Sequence, residues 1–250
     1  MRKQGFFTTS WDDGCPSDGR IAELLARYDL QGTFYIPLRG PHGSMDHGQI
    51  RSLSTVFEIG AHTVSHCDLS RLSDQEAKGE ICDSKATLED LTGKACKMFC
   101  FPKGRFRRDQ LRLVQQGGFL GVRTVEMMSL ALPRMEAGIA VMPTTLHAYA
   151  HPRLSYFKNI AKRFAARNLL NYFRYGDRHW ETTAERFMRW VVKEGGVFHL
   201  WGHSWELDQE GLWPQLDRVL GIMGELKSFA PPVTNSAVCA QVLPKTTSGE

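Results

Sequence analysis

The stretch that decides the fold reads Gly5-Phe6-Phe7-Thr8-Thr9-Ser10-Trp11-Asp12-Asp13-Gly14. Its first half, residues 5–10, is aromatic and β-branched, which predicts a buried strand ending just before two adjacent acids. The residues that follow, 17–29, repeat apolar side chains at helical spacing. Because a strand followed by a helix is the unit of a parallel sheet, this order predicts an α/β protein.

The same alternation continues along the chain. Further strands are predicted at residues 32–36, 57–61, 97–101, 118–124 and 197–201. Further helices are predicted at residues 73–91, 108–116, 183–193 and 213–227. Ser73 and Glu76 form a capping box that opens the first of these helices, and Gly93 follows its end. Six or seven such units in 250 residues favour a single-domain barrel over residues 1–250, with an irregular tail at about residues 230–250.

Composition excludes several classes of protein. The net charge of +4 is too small and too dispersed for a nucleic-acid binder. No apolar segment has the length of a signal peptide core or of a membrane-spanning helix, so we expect a cytoplasmic protein. The 6 cysteines lack the spacing of a disulfide framework or a zinc ribbon, and we expect them to be free thiols.

Three polar segments follow predicted strands, where parallel barrels place their chemistry. Asp12 and Asp13 follow the first strand, His62 and His66 follow the third, and His203 lies at the end of the last. Two histidines four residues apart share one face of a helical turn, close enough to bind one metal ion. Two imidazoles and one carboxylate would leave coordination positions open for water and substrate.

Each segment also has a plain structural alternative. Asp-Asp-Gly is a common turn, and paired histidines also cap or pack at loops. His199, inside the apolar run that precedes His203, is interpreted as a hydrogen-bonded core residue. Trp201 and Trp205 are candidates for stacking on a sugar ring, with packing in the core and rim as the alternative.

Together the three segments resemble the polysaccharide deacetylase family, also called carbohydrate esterase family 4 or the NodB homology domain. Its first motif, TFDDG, is matched by Ser10-Trp11-Asp12-Asp13-Gly14, and its second, H-S/T-x-x-H, by His62-Thr63-Val64-Ser65-His66. Its last motif is matched around Leu200 to His203. The resemblance covers about residues 5 to 205 and implies a distorted (β/α)7-type barrel.

The resemblance also implies a division of roles. Asp13, His62 and His66 would bind a divalent metal, Zn²⁺ first, with Co²⁺, Ni²⁺ or Mn²⁺ as alternatives. Asp12 would act as the base and His203 as the acid. Candidate substrate contacts complete the set: Trp11, Pro102, Lys103, Arg123, Trp201 and Trp205.

Two family motifs are altered in this chain. The third usually carries an Arg that orients the base, but Cys100 or Phe101 occupies that place, so Arg105 or Arg123 is the candidate replacement. The backbone N–H of Lys103 is a candidate donor to the oxyanion. The fourth motif, whose Asp orients the acid, is not recognisable, and Glu206 is the local candidate for that role.

We therefore expect a metal-dependent hydrolase that removes an N-acyl group, acetyl first, from an amino sugar of O-antigen or surface-polysaccharide biosynthesis. The expected substrate is a nucleotide sugar or a lipid-linked saccharide. Residues 153–178 are basic with interleaved apolar side chains, which suggests contact with the inner face of a membrane, a solvated helix being the alternative. Two rival functions are a deformylase or other C–N amide hydrolase and a catalytically impaired carbohydrate-binding barrel. The sequence leaves the oligomeric state open.

Overall fold

The computed structural model describes residues 4–149, 151, 159 and 166–243. Within these ranges the chain forms a sheet whose strands alternate with helices. The strands are β1 (Gly5–Asp12), β2 (Thr33–Ile36), β3 (Glu58–Ala61), β4 (Met98–Cys100), β5 (Gly121–Arg123), β6 (Arg134–Glu136), β7 (Ile139–Met142), β8 (Leu146–His147) and β9 (Gly196–His203). All of the strand pairs are parallel except β6 with β7.

The sheet curves into a distorted barrel. Its strand order is β6-β7-β5-β4-β3-β2-β1-β9-β8. Strands β7 and β8 follow each other in residues 139–147, so this one segment pairs with β5 through Val141 and with β9 through Leu146. Because it contacts both ends of the parallel array, the segment closes the ring. The predicted (β/α)7-type barrel is confirmed.

Helices cover the outside of the barrel. They are α1 (Asp18–Arg27), α2 (His47–Val56), α3 (Asp74–Thr92), α4 (Gln110–Gln116), α5 (Ala166–Tyr175), α6 (Trp180–Glu194), α7 (Ser204–Glu210), α8 (Trp213–Leu226) and α9 (Asn235–Ala240). The predicted capping box of Ser73 and Glu76 opens α3, and Gly93 ends it in a left-handed conformation. Among the described residues, no helix is long and apolar enough to cross a bilayer.

The prediction of an irregular tail is wrong for residues 235–240, which form α9. Thr234 caps this helix by accepting a hydrogen bond from the Ala237 N–H. Asn235 is fully buried and bonds to Thr8 Oγ1 and Tyr35 Oη. These bonds to β1 and β2 hold α9 against the amino end of the barrel. Residues 244–250 of the predicted tail lie outside the described range.

Candidate active site

Polar side chains converge on a cleft of ≈ 390 Å³ at the carboxyl ends of the strands. Eight of the residues proposed from the sequence line it: Asp12, Asp13, His62, His66, Lys103, Trp201, His203 and Trp205. They come from segments that lie far apart in sequence. The barrel brings them together because parallel strands end on the same rim.

Asp13, His62 and His66 form a compact donor set. Asp13 Oδ1 lies 3.7 Å from His62 Nε2 and 3.1 Å from His66 Nε2. One ligand atom from each residue fits within 4.8 Å of the others. Asp13 Oδ1 is buried and makes no hydrogen bond within the described chain. Two imidazole nitrogens and a carboxylate oxygen without a donor are the ligands that Zn²⁺ accepts, so the residues fit a divalent metal.

His62 is prepared as a ligand by its surroundings. Its Nδ1 lies 2.7 Å from the Cys100 carbonyl oxygen, which can only accept, so the proton is on Nδ1 and Nε2 keeps its lone pair. Burial lowers the pKa of His62 to about 4. The neutral ring therefore presents Nε2 to Asp13 at physiological pH. Cys100 is buried with its own thiol pKa raised by burial, which makes it a poor competing ligand.

The backbone around this donor set is strained. Asp13 (φ 79°), Thr63 (φ 70°), His66 (φ 53°) and Lys103 (φ 57°) all adopt left-handed conformations, which non-glycine residues rarely do. Asp13 and His66 belong to the donor set, and Lys103 lines the cleft. Such conformations cost of order 1–3 kcal/mol each and cluster at functional sites.

Glu80 of α3 anchors the loop that carries His66. Its Oε2 accepts the backbone N–H groups of Val64 (2.8 Å) and Ser65 (2.9 Å), and its Oε1 accepts the Ser65 hydroxyl at 2.7 Å. These three bonds fix the loop directly before His66. No sequence pattern marks this role, because it depends on how α3 packs beside the loop.

Glu80→Ala is therefore expected to weaken metal binding by roughly 10- to 100-fold, as removal of groups that orient metal ligands does. Competition titration of the purified protein with a chromogenic chelator measures the affinity. Asp83→Ala on the same helix is the control, because Asp83 is exposed. Equal affinities for the two variants would contradict an anchoring role for Glu80.

Asp12 is paired with Arg123 beneath the cleft. The Arg123 guanidinium donates from Nη2 to Asp12 Oδ1, and both side chains are buried. The guanidinium also lies against the rings of Tyr35 (5.2 Å) and Trp201 (4.9 Å). Burial alone would raise the pKa of Asp12, but Arg123 and then His62 outweigh burial and hold that pKa below its ordinary value. Asp12 is thus an ionised carboxylate at neutral pH.

His203 is paired with Glu206. Its Nδ1 lies 2.6 Å from Glu206 Oε2, and its Nε2 lies 4.0 Å from Asp12 Oδ2 and 4.0 Å from Asp13 Oδ2. Burial alone would lower the pKa of His203, but the bond to Glu206 and the charge of Asp12 outweigh burial and raise it. A carboxylate with a lowered pKa and an imidazole with a raised pKa face the same cleft, which is the pattern of a base and an acid.

Several other predicted contacts need correction. Trp11 was expected to contact substrate, which is wrong: its side chain is fully buried and its Nε1 donates to Thr9 Oγ1. Arg123 and Pro102 are also buried and do not line the cleft. Arg105 bonds to Asp68 with its side chain 56% exposed, so Arg123 rather than Arg105 pairs with Asp12.

The aromatic candidates have structural partners. Trp201 stacks on His147 with ring centroids 4.1 Å apart, which favours the packing interpretation. Trp205 donates from Nε1 to Asp13 Oδ2 at 2.9 Å and stacks on His42 at 4.0 Å. His199 is the predicted core histidine, bonded to Ser10 Oγ at 2.8 Å.

Sequence reasoning missed His42, His147 and His151, which also line the cleft. His147 ends β8, and its Nε2 lies 2.8 Å from Glu206 Oε2. His147 and His151 repeat the four-residue spacing of His62 and His66, and this repeated spacing was the available signal. His42 has no such signal, because it reaches the cleft from an irregular loop.

Comparison with known proteins identifies proteins that are similar to this chain in sequence and in fold. Residues 2–122 match the sequence profile of the polysaccharide deacetylase family. YxkH from Bacillus subtilis (strain 168), assigned to the polysaccharide deacetylases, is 23% identical over 120 residues, 46% of this chain. That alignment spans 43% of the length of YxkH, so less than half of that relative is matched.

Solved structures share the fold over nearly the whole chain. A Mycobacterium smegmatis protein assigned to the polysaccharide deacetylases superposes with a TM-score of 0.69 at 15% identity, covering 100% of this chain and 96% of its own. The chitin deacetylase of the fungal pathogen Colletotrichum lindemuthianum superposes with a TM-score of 0.58 at 16% identity, covering 95% and 89%. At these identities the likeness establishes the fold.

Proposed function

We propose that this chain is a metal-dependent hydrolase that removes an N-acyl group, acetyl first, from an amino sugar, because residues 2–122 match the polysaccharide deacetylase family and the fold is that of solved deacetylases. One observation carries the proposal. The donor set Asp13, His62 and His66 lies beside two further charge pairs, Asp12 with Arg123 and His203 with Glu206. A site that only bound a sugar would need no such separation of base, acid and metal ligands.

A divalent cation held by Asp13, His62 and His66 would polarise the amide carbonyl and favour deprotonation of water. Asp12 is placed to accept the proton of the attacking water, since Arg123 keeps its carboxylate ionised. His203 Nε2 then donates a proton to the departing nitrogen as the C–N bond breaks. The water oxygen ends in the carboxylate product, and the sugar leaves as an amine.

Lys103 can assist through its backbone. Lys103 lines the cleft, and its left-handed conformation (φ 57°) holds its peptide there. An N–H aimed at the developing oxyanion would stabilise it. The neighbouring Gly104 allows this turn, because an added Cβ would lie 2.1 Å from Val125 Cγ2.

We propose that the substrate is a nucleotide sugar or a lipid-linked saccharide of O-antigen or other surface-polysaccharide biosynthesis, processed at the cytoplasmic face of a membrane. All six cysteines, Cys15, Cys67, Cys82, Cys96, Cys100 and Cys239, are free, which is typical of proteins in a reducing compartment. The described part of the basic segment also supports membrane contact. Residues 153–158 and 160–165 of that segment lie outside the described range.

Helix α5 presents apolar and basic side chains on the surface. Asn168 and Asn171 donate to the carbonyls of Met127 and Met128 and hold the helix against the barrel. On the outer side, Leu170 and Phe173 are 69% and 68% exposed. Three exposed arginines accompany them and make no ion pair within the described chain: Arg167, Arg174 and Arg178. An apolar face flanked by unpaired cations fits an anionic lipid surface.

Leu170→Ser with Phe173→Ser is expected to weaken binding to phosphatidylglycerol vesicles by at least about tenfold, since each buried apolar side chain contributes roughly 1.5–3 kcal/mol. Vesicle co-sedimentation measures this partitioning. Phe229→Ser is the matched control, because Phe229 is 61% exposed and belongs to the turn after α8 rather than to α5. The proposal of membrane docking would be contradicted if wild type did not bind phosphatidylglycerol vesicles, or if it bound phosphatidylcholine vesicles equally well.

The test of the proposed function pairs metal analysis with product release. Bound metal is measured by mass spectrometry on wild type and on His62→Ala with His66→Ala, and acetate release is assayed from N-acetylamino-sugar nucleotides and lipid-linked analogues. We expect one metal per chain and acetate release in wild type, and neither in the double variant. Wild type that binds no metal after supplementation would overturn the mechanism.

The same assay distinguishes the proposed function from its two rivals, a deformylase and a carbohydrate-binding barrel. Formate release from N-formyl sugars, with no acetate from N-acetyl sugars, would identify a deformylase. Metal binding and saturable sugar binding without release of any acid would identify a carbohydrate-binding barrel. Either result would leave the metal site in place and overturn the proposed reaction.

A further inference from the structure

We propose that His147 is a positioning residue that fixes the acid His203 through the carboxylate oxygen of Glu206 that both histidines contact. The proposal rests on the proposed function for its kinetic consequence. Glu206 Oε2 lies 2.6 Å from His203 Nδ1 and 2.8 Å from His147 Nε2. One carboxylate oxygen thus lies between two imidazoles that come from different strands, β8 and β9.

The protons of this cluster can be assigned from its acceptors. A carboxylate with a lowered pKa only accepts, so His203 Nδ1 and His147 Nε2 are both donors. Burial lowers the pKa of His147, which makes the ring neutral and leaves its Nδ1 as an acceptor. His151 Nε2, 2.6 Å away from that nitrogen, is then the donor to it. These tautomers place a donor nitrogen against an acceptor atom at each contact, although the His147 Nε2–H is not aligned well enough to form a hydrogen bond with Glu206.

His147 is rigidly held. It is buried, and its ring stacks on Trp201 with an interplanar angle of 10° and a centroid distance of 4.1 Å. Its Nε2–H is not aimed straight at Glu206, so this 2.8 Å contact is weaker than the 2.6 Å bond from His203. The contribution of His147 is a fixed positive dipole that prevents Glu206 from rotating away from His203.

Fixing Glu206 in this way determines where the other ring nitrogen of His203, Nε2, points. With the Nδ1 proton committed to Glu206, Nε2 faces Asp12 Oδ2 and Asp13 Oδ2 at 4.0 Å each. That nitrogen is the one placed to deliver a proton into the cleft. Glu206 lies in the short helix α7 with three side-chain torsions of its own, and without His147 one side of its carboxylate would lose its partner.

His147→Leu and His147→Gln form the matched test on the metal-loaded enzyme. Leu keeps the apolar volume but removes the donor, whereas Gln keeps an N–H donor. We expect Leu to lower kcat for acetate release by roughly 10- to 100-fold, the usual effect of removing an orienting partner, with KM within about twofold of wild type. Gln is expected to recover kcat to within about fivefold of wild type.

A double-mutant cycle separates positioning from packing. Because His147 acts through Glu206, His147→Leu with Glu206→Gln is expected to be no slower than Glu206→Gln alone. The proposal would be overturned if the kcat losses of His147→Leu and Glu206→Gln multiplied in the double variant. It would also be overturned if His147→Leu and His147→Gln lost kcat equally. Urea unfolding of each variant shows whether the fold is intact.

A second readout needs no substrate. In proton–nitrogen spectra of the zinc-loaded protein, the His203 Nδ1 proton is expected as a resolved downfield signal in wild type and in His147→Gln. It is expected to shift or to broaden by exchange in His147→Leu. An unchanged signal in the Leu variant would overturn the proposal even if wild type releases acetate. If wild type releases none, this spectrum still decides the role of His147 separately.

Discussion

Asp12→Asn is expected to lower kcat for acetate release by about 10²- to 10⁴-fold, the usual contribution of a general base, while bound metal stays at the wild-type level. Asn keeps the shape of Asp12 and an oxygen for Arg123, but it cannot take a proton from water. Acetate release under substrate saturation and metal content by mass spectrometry measure the two halves of this prediction.

Asp13→Asn is the matched control, because it changes the adjacent residue in the same way. It is expected to lose metal as well as activity, since Asp13 Oδ1 faces both His62 and His66. The two neighbours differ because β1 ends at Asp12 and the chain then turns through the left-handed Asp13 (φ 79°). Successive carboxylates therefore point to different partners.

Loss of metal in Asp12→Asn would contradict this division of roles. Asp12, His62 and Cys100 form another group whose ligand atoms lie within 4.8 Å of one another. Cys100→Ser tests that group directly. We expect it to keep its metal, because the His62 contact is to the Cys100 carbonyl oxygen rather than to the thiol.

Most of the barrel could be predicted because its central strands are short apolar runs followed by amphipathic helices. The segment of β6, β7 and β8 could not. Its strands have only three, four and two residues, and β8 pairs with β9, which follows only after two further helices. Helix α9 was missed for a similar reason, since it has only six residues and gains order from its contacts with the barrel.

The residues of the site differ in the same way, because some could be predicted from the local sequence and others depend on tertiary contacts. Asp12, Asp13, His62, His66 and His203 could be found because each lies at or shortly after the end of a recognisable strand. Glu80 could not be found, because no local pattern marks its contact with the loop before His66. The spacing of His147 and His151 was a signal, but it gave no indication that His147 contacts Glu206. The sequence could not decide whether Arg105 or Arg123 pairs with Asp12, because the answer depends on which strand end faces Asp12 in the fold.

Arg123 and Glu206 contact Asp12 and His203 from positions outside the third and fourth family motifs, and we propose that they take over the orienting roles of those motifs. Arg123 reaches Asp12 from the end of β5, one strand beyond the β4 segment where the family motif is expected. Glu206 reaches His203 from the helix that follows it. In both cases the contact is made from another element at the same rim. An orienting charge need only reach its partner, so its position along the chain can change while the contact remains.

Arg123→Met is expected to lower kcat by at least about 10²-fold and the free energy of unfolding by about 3–5 kcal/mol, because removing one partner leaves a buried carboxylate without its counter-charge. The uncompensated Asp12 would then take up a proton in preference to staying ionised, and a protonated carboxyl cannot act as the base. Arg123→Lys keeps a charge without the flat guanidinium between Tyr35 and Trp201, so we expect intermediate losses. Urea denaturation and acetate release measure both effects.

Arg105→Met is the control that the sequence itself offers, since Arg105 was the other candidate for the missing motif. Its exposed pair with Asp68 is expected to contribute at most about 1 kcal/mol to the free energy of unfolding, and nothing to kcat. A loss of kcat in Arg105→Met equal to that in Arg123→Met would contradict the pairing of Arg123 with Asp12. A loss of stability in Arg123→Met with kcat unchanged would mean that Arg123 supports the barrel while another group keeps the base ionised.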